Sequence, residues 1–338
     1  MPEVVAENID QLIGIEIRPH GMPRGKAQRL YAAARDDAGG PLVLNAARGL
    51  IDAIGPGDRV LITCMTGGPP WLPFGETDGP PGGAAIANTL AQALGAVPLL
   101  VASEAHRGPV AGALHAVGLL ATAPELAVER GGAAGIVDFP ANPAEATGAA
   151  RRIFDAFEPS AIVAIETLGP NIEGVVQSVT GHDMTAVIPG YYALFDEAAR
   201  RDVFSLGIGD GGNEIGFGRI RAAVEEIQDF GAVGQVPGRA GMATAVATDA
   251  LVFAGVSNWG ASGVAAMLAF LTGQPSAFHS PADELRMIQA SAAAGAVDGR
   301  FARTTVSVDG LDASISTAIV DILGTLIRVA SENVSRPF

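Results

Sequence analysis

The sequence predicts an α/β protein: a mostly parallel sheet with helices on both faces and a ligand site at the carboxyl ends of the strands. Two observations predict it. Short apolar runs alternate with longer Ala-rich amphipathic stretches, the pattern of strands joined by crossover helices. The 44 glycines and 22 prolines cluster where the apolar runs end, and open α/β sheets bind ligands just beyond those ends. A chain of 338 residues has room for one large domain or two modest ones. We divide it into a helical N-terminal segment, 1–55, packed on an α/β catalytic domain, 56–338.

In chain order, Ala27 to Arg35 and Leu42 to Ile54 carry apolar residues at helical spacing and make up the N-terminal segment. Arg59 to Met65 (RVLITCM), Val97 to Ala102, Gly135 to Val137, Ala161 to Ile165, Val203 to Ile208 and Ala250 to Val256 are short, nearly continuous apolar runs. Strands covered on both faces read this way. Between them, Gly83 to Leu94, Pro109 to Leu120, Ala144 to Phe157 and Tyr191 to Arg200 are Ala-rich and amphipathic, as helices are. A helix after Asn258 and a last one from Ile315 to Ala330 complete the set. The apolar stretch Leu251 to Leu271 is long enough to span a bilayer. Asn258, Trp259 and several glycines interrupt it and no Lys or Arg flanks it, so it reads as buried strand, loop and helix.

Composition narrows the function. Acidic residues number 36 against 21 basic ones, a formal charge of −15, while charged residues are only 17% of the chain. Nucleic acid and anionic membrane surfaces need a basic footprint, so the expected partner is a small molecule. Lys26 is the single lysine and lies in no phosphate-loop motif; Cys64 is the single cysteine, which excludes an intrachain disulfide and a Cys-rich zinc site. Glu3, Glu7 and Asp10 near the start are unlike a signal peptide, so a cytoplasmic location is expected and the Asn333-Val334-Ser335 sequon is a chance match. Ala- and Gly-rich helices with few charges suit a symmetric homo-oligomer.

Four strand-end clusters carry the chemistry. After RVLITCM come Thr66-Gly67-Gly68-Pro69-Pro70 and Gly75-Glu76-Thr77-Asp78-Gly79-Pro80-Pro81-Gly82. Here Thr77 or Asp78 suits a helix cap, but capping needs one of them and not the Glu76/Asp78 pair. After AIVAI comes Glu166, either a solvated loop acid or a carboxylate placed for catalysis or metal ligation. The third cluster, Gly207-Ile208-Gly209-Asp210-Gly211-Gly212-Asn213-Glu214-Ile215-Gly216, formally satisfies G-x-G-x-x-G, with Asp229 at the distance of a ribose-binding acid. Asp210, however, would put a negative charge into a phosphate cradle; two carboxylates and an amide in five residues suit a hard divalent cation or an ammonium group. The fourth is Val256-Ser257-Asn258-Trp259-Gly260. Asn258 fits either a substrate carboxylate or amide or a helix cap, and Trp259 fits a core aromatic. Of His20, His106, His115, His182 and His279, only His182 beside Asp183 is placed as a candidate general base.

These motifs, in this order, resemble the D-glutamate cyclase family. The resemblance rests on GETDGPPG at Gly75 to Gly82, Glu166, GIGDGGNEIG at Gly207 to Gly216, Asp249 with AGVSNWG at Ala254 to Gly260, AGAVDG at Ala294 to Gly299 and SVDGL at Ser307 to Leu311. It implies a metal-assisted hydro-lyase that closes D-glutamate to 5-oxo-D-proline without a nucleotide. A Mg2+ or Mn2+ ion would be held by Asp210 and Glu214 with Asp78 or Glu166 and would polarise the carboxylate. Glu76 or Glu166 would take the ammonium proton, with Asp210 completing the catalytic set. Thr77, Asn171, Gly209, Asn213, Ser257 and Asn258 would bind the substrate. One departure matters: where relatives carry arginines just after the strand-end glutamate, this chain has Thr167 and Pro170. Arginine is the natural partner of a substrate carboxylate, so two alternatives stay open: a metal-dependent amidohydrolase opening a lactam, imide or hydantoin-like ring, and a non-catalytic nucleotide- or metal-binding module.

Overall fold

The computed structural model describes residues 1–17, 25–236 and 238–332. His20 and the sequon at Asn333 lie outside them. Seven strands form the main sheet: β1 (Arg59–Thr63), β2 (Val97–Ala102), β3 (Leu120–Thr122), β4 (Ala133–Asp138), β5 (Ala161–Ile165), β6 (Phe204–Gly209) and β7 (Ala250–Phe253). Their order is β3-β4-β2-β1-β5-β6-β7 and every ladder is parallel. The helices are α1 (Pro2–Ile13), α2 (Lys26–Ala38), α3 (Leu42–Ala53), α4 (Pro80–Thr89), α5 (Glu104–Ala116), α6 (Pro124–Arg130), α7 (Ala146–Phe157), α8 (Tyr192–Arg200), α9 (Arg221–Ile227), α10 (Ser257–Leu271), α11 (Pro281–Ala293) and α12 (Ala313–Ser331).

The strands read as continuous apolar runs because both faces are covered. Alternate residues go to opposite layers: Ile62, Val163 and Ile208 join a core with Leu50 of α3, Ile86 of α4, Val110 of α5, Val264 of α10 and Leu323 of α12. Leu61, Leu99 and Ile162 join a second core with Ala127 of α6, Ile153 of α7 and Leu194 of α8. The stretch Leu251–Leu271 divides into β7 and α10, and α10 buries every residue from Ser257 to Ala269. Helix α12 is long and apolar enough to cross a membrane by length and composition, and its Ile319, Leu323 and Ile327 pack into the first core.

Several elements go beyond the sequence expectation. Strand β3 is a three-residue edge strand, half exposed and too short to show a period. The helix expected from Pro109 starts at Glu104, with Pro109 inside it. The helix expected from Gly83 starts at Pro80 and ends in a π-turn over Leu90–Leu94; proline in a first turn costs nothing because that N–H has no helical partner. Helices α1, α6, α9 and α11 are additional. So is an antiparallel hairpin, β8 (Ser307–Val308) and β9 (Leu311–Asp312), whose turn holds Asp309 and Gly310 at φ +51 and +80.

The topology fixes where a ligand goes. From β1 the chain steps outward through β2 to the far edge, then returns to the other side of β1 as β5. The loops leaving β1 and β5 therefore part in opposite directions and open a crevice at the carboxyl ends.

Candidate active site: an acidic cavity at the strand ends

A cavity of about 340 Å³ occupies that crevice, lined among others by Thr66, Glu76, Glu166, Asp210, Asn213, Glu214, Arg300 and Asp309. Four separate segments supply it: the loops after β1, β5 and β6, and the segment leading into the β8–β9 hairpin. Each is pinned by specific hydrogen bonds.

The loop after β1 is locked to the start of α10 by a reciprocal pair of caps. Asp78 accepts the N–H groups of Ser257 (2.9 Å) and Asn258 (2.8 Å) at the first turn of α10. Asn258 Oδ1 in return accepts the N–H groups of Gly79 and Gly82, both at 2.9 Å, at the first turn of α4, while its Nδ2 donates to the Thr77 carbonyl (3.0 Å). The sequence expected Thr77 or Asp78 to cap α4 and Asn258 to cap its own helix; instead Asp78 caps α10 and Asn258 caps α4. Gly79 sits at φ +115, where a Cβ would collide with the Cys64 carbonyl, so only glycine lets the loop lie over the end of β1. Thr77 is fully buried, its hydroxyl donating to the Ser307 carbonyl (2.7 Å) and its N–H to Val297 (2.9 Å), which ties in the C-terminal segment.

Glu166 directly follows β5 at φ +48, uncommon for a glutamate. Its N–H donates to the Ile208 carbonyl (3.1 Å) and its Oε2 accepts the Ser257 hydroxyl (2.5 Å), so two neighbouring strand ends hold it in this conformation. Burial, then the charges of Asp210, Glu214, Asp78 and Glu76, raise its carboxyl well above the ordinary range. Glu76 is raised in the same direction by burial and then by Asp309, Asp78, Asp210 and Asp298. Both side chains are therefore suited to carry a proton near neutral pH.

The Gly-rich turn after β6 resolves the G-x-G-x-x-G ambiguity. Glu214 folds back so that Oε1 accepts the N–H groups of Asp210 (3.0 Å) and Gly211 (2.8 Å) and Oε2 that of Gly212 (2.6 Å). These are the amides a phosphate would use, and the chain's own carboxylate occupies them. Asp229, the supposed ribose acid, is an exposed surface residue paired with Lys26 at 2.9 Å. The turn is further braced by Gln228 Nε2, which donates to the Gly211 carbonyl (2.6 Å).

The C-terminal contribution was missed as a source of site residues. Asp298, fully buried, accepts the N–H groups of Arg300 (2.8 Å), Phe301 (3.0 Å) and Gly310 (2.9 Å) and the Ser307 hydroxyl (2.6 Å). That clamp sets Gly299, Arg300 and Asp309 in the cavity wall. The signal lay in the two Val-Asp-Gly triplets: Asp309-Gly310 takes the positive φ that an Asp-Gly turn accepts, and Asp298 supplies the carboxylate that gathers the segment's N–H groups.

Two groupings of carboxylates bring one oxygen from each member within 4.8 Å of the others: Asp78, Asp210 and Asp309, and Glu166, Asp210 and Glu214. Asp210 belongs to both. All four expected metal ligands are thus brought together, and Asp309 joins them. Of the expected substrate binders, Asn213 lines the cavity and holds its wall by donating to the Gln177 carbonyl (2.9 Å). Ser257 reaches the site through Glu166. Thr77, Asn171 and Asn258 do not line the cavity. The Asn171 amide is engaged with the Gly241 carbonyl (2.8 Å) and the N–H groups of Glu173 and Val175. Gly209 lies under Glu214, where a Cβ would crowd that side chain. His182 is exposed and contacts Gln235, outside the cavity lining. Asp249 sits before β7, at the amino end of the sheet, accepting the Ser205 N–H and hydroxyl (both 2.8 Å). Trp259 is a core residue whose Nε1 donates to Ser316 (3.0 Å).

Residues 33–324 match the family described as D-glutamate cyclase-like, C-terminal, and the chain belongs to that family. Over 111 residues it is 33% identical to the mitochondrial D-glutamate cyclase of Homo sapiens, a stretch covering 32% of this chain and 17% of the human protein.

Proposed function

We propose that this member of the D-glutamate cyclase-like family is a divalent-metal-assisted hydro-lyase that closes D-glutamate to 5-oxo-D-proline. The observation that carries the reading is the pair of carboxylate groupings sharing Asp210 in one small cavity, beside two carboxyls raised in pKa. The donor set fits a hard cation, being all oxygen, and the Thr66 hydroxyl, buried in the same wall, has no hydrogen-bond partner among the described residues. Such a cation, bound through Asp210 with Glu166 and Glu214 or with Asp78 and Asp309, supplies Lewis-acid polarisation of the γ-carboxylate.

The chain's own residues do the rest. Ring closure forms a bond from the α-nitrogen to the γ-carbon and breaks one carbon–oxygen bond; the two protons lost by the ammonium leave with that oxygen as water. Glu76 takes the first proton from the ammonium, a role its raised pKa favours. Glu166, with Oε2 engaged by Ser257, gives a proton to the departing oxygen from Oε1 and takes the second proton of the nitrogen in return, while the proton on Glu76 completes the water, which restores both acids. The confined cavity holds the substrate curled, which removes part of the entropic barrier to closure.

The test is mass spectrometry of the purified chain with D- and L-glutamate, with and without Mn2+. Loss of one water from D-glutamate, abolished by a chelator and by Asp210→Asn, supports the reading. Full turnover in the chelator or in Asp210→Asn sinks it.

A further inference from the structure

We infer that Arg300 is the residue of the cavity that recognises a ligand carboxylate. The inference rests on the proposed function only in taking this cavity as the ligand site.

Arg300 is the one basic side chain lining a cavity that otherwise presents carboxylates, small hydroxyl side chains and apolar groups such as Leu72, Leu168 and Met184. Its guanidinium has neither an ion pair nor a side-chain hydrogen bond among the described residues; Arg201, tied to Asp155 and Glu197, and Arg219, tied to Asp37, are committed, while Arg300 shares its freedom with surface arginines such as Arg303 and differs from them in lining the ligand cavity. The side chain is exposed, yet its backbone is fixed, because its N–H donates to the buried Asp298 carboxylate at 2.8 Å. An uncommitted arginine whose backbone is pinned in the wall of a ligand cavity is the arrangement that carboxylate recognition uses.

Charge makes the same case. A ligand with two carboxylates must approach Glu76, Glu166, Asp210 and Asp309, and an acidic wall without a cation repels it. The positions after β5 that could have supplied one are Thr167, whose hydroxyl donates to the Ile165 carbonyl at 3.1 Å, and Pro170. The cation comes instead from the C-terminal segment that Asp298 clamps. With one end of the ligand at the acidic floor, Arg300 at the rim is placed for the second carboxylate.

The test measures binding, not turnover. The full chain is titrated calorimetrically with 5-oxoproline and with its carboxamide, 5-oxoprolinamide, in the presence of Mn2+. The panel is the wild type, Arg300→Ala, Arg300→Lys and Arg303→Ala, the last an exposed arginine of the same segment outside the cavity lining. The wild type is expected to prefer the acid by about tenfold or more, as a charge-assisted bidentate contact allows. Arg300→Ala should weaken the acid by about the same factor and leave the amide unchanged; Arg300→Lys should fall between, and Arg303→Ala should match the wild type. Equal binding of acid and amide by the wild type, binding of neither, or unchanged acid affinity in Arg300→Ala overturns the inference. Acid-selective binding without water loss from glutamate would overturn the cyclase reading and leave Arg300 standing; turnover with the KM unmoved in Arg300→Ala would do the reverse.

Discussion

Substituting Glu214 by glutamine tests whether the Gly-rich turn is built around its own carboxylate. Three backbone N–H groups, those of Asp210, Gly211 and Gly212, converge on the two Glu214 oxygens, and the side chain is 1% exposed. Glutamine keeps one oxygen, removes the charge from all three bonds and turns an NH2 toward at least one N–H. Hydrogen bonds to a charged acceptor contribute roughly 1.5–3 kcal/mol each, and a buried donor left without an acceptor costs about as much, so Glu214→Gln should destabilise by about 3 kcal/mol. At about 2.1 cal/mol/K of unfolding entropy per residue over 338 residues, the thermal midpoint drops by about 4 °C. Differential scanning calorimetry reads that shift. Calorimetric titration with Mn2+ should show weakened binding as well, because Asp210, shared by both carboxylate groupings, rides on the same turn. A midpoint within about 1 °C of the wild type, with Mn2+ binding unchanged, would refute the reasoning. So would nucleotide binding to this turn in the wild type, since a phosphate must compete with Glu214 for these amides.

Asn258→Ala leaves the Gly79 and Gly82 N–H groups and the Thr77 carbonyl without their buried partner; it should cost about 2–4 kcal/mol, and an unchanged unfolding midpoint would contradict the reciprocal-cap account. Burial raises the Asp10 carboxyl from 3.8 to about 6 even though it accepts the Leu42 and Val43 N–H groups at the start of α3. A raised folded-state value favours the native state below the unfolded pKa and loses that advantage as pH climbs through the folded one. The wild type should therefore lose about 3 kcal/mol relative to Asp10→Asn between roughly pH 4 and pH 7; a constant difference in midpoint across that range argues otherwise. Divalent-ion affinity should rise with pH and release protons, because burial and neighbouring carboxylates raise the proton affinity of Glu76 and Glu166; titrations in buffers of different ionisation enthalpy measure the proton count, and a count of zero would be the contrary result. By the same sign, Glu76→Gln in metal-depleted protein should hold its midpoint better than the wild type as pH is raised, since glutamine has no proton to lose; parallel pH profiles for the two proteins would count against it.

The strands were legible because burial on both faces forces continuous apolar runs, and RVLITCM or AIVAI in this chain allow little else. Helix ends were less so. Pro80 and Pro81 look like a break but begin α4, and Pro109 looks like a start but lies inside α5. Edge strand β3 and the short helices α6 and α9 carry too few residues for a period to emerge. At the site, residue type revealed the carboxylates but not their employment. Asp78, Asn258 and Glu214 were each legible as chemically able side chains, and each turns out to hold backbone, Glu214 that of its own turn and Asp78 and Asn258 that of another loop. That partnership is set by the 179 or 180 residues separating the Asp78–Ser257 and Asp78–Asn258 pairs, which no local pattern encodes. Arg300 was invisible for the converse reason, an ordinary arginine in a loop, given significance only by the Asp298 clamp that sets it over the cavity.

The buried acids therefore divide by what surrounds them. Asp78, Glu214 and Asp298 are surrounded by backbone N–H groups: two, three and three residues respectively direct amides at them. Hydrogen bonds of this kind tie backbone to side chain, so all three fix structure: the loops after β1 and β6 and the C-terminal segment. Glu76 and Glu166 have no such ring of amides, and their neighbours are other carboxylates. Their negative charge must be met by a proton, a bound cation or the ammonium of a ligand, and which of the three is present changes as a reaction proceeds. A formal charge of −15 on the whole chain says nothing about this distinction. The hydrogen-bond donors do: Asp78, Glu214 and Asp298, met by backbone amides, hold the cavity in shape, while Glu76 and Glu166, raised by burial and neighbouring carboxylates, are the acids whose protonation a substrate or a metal can alter.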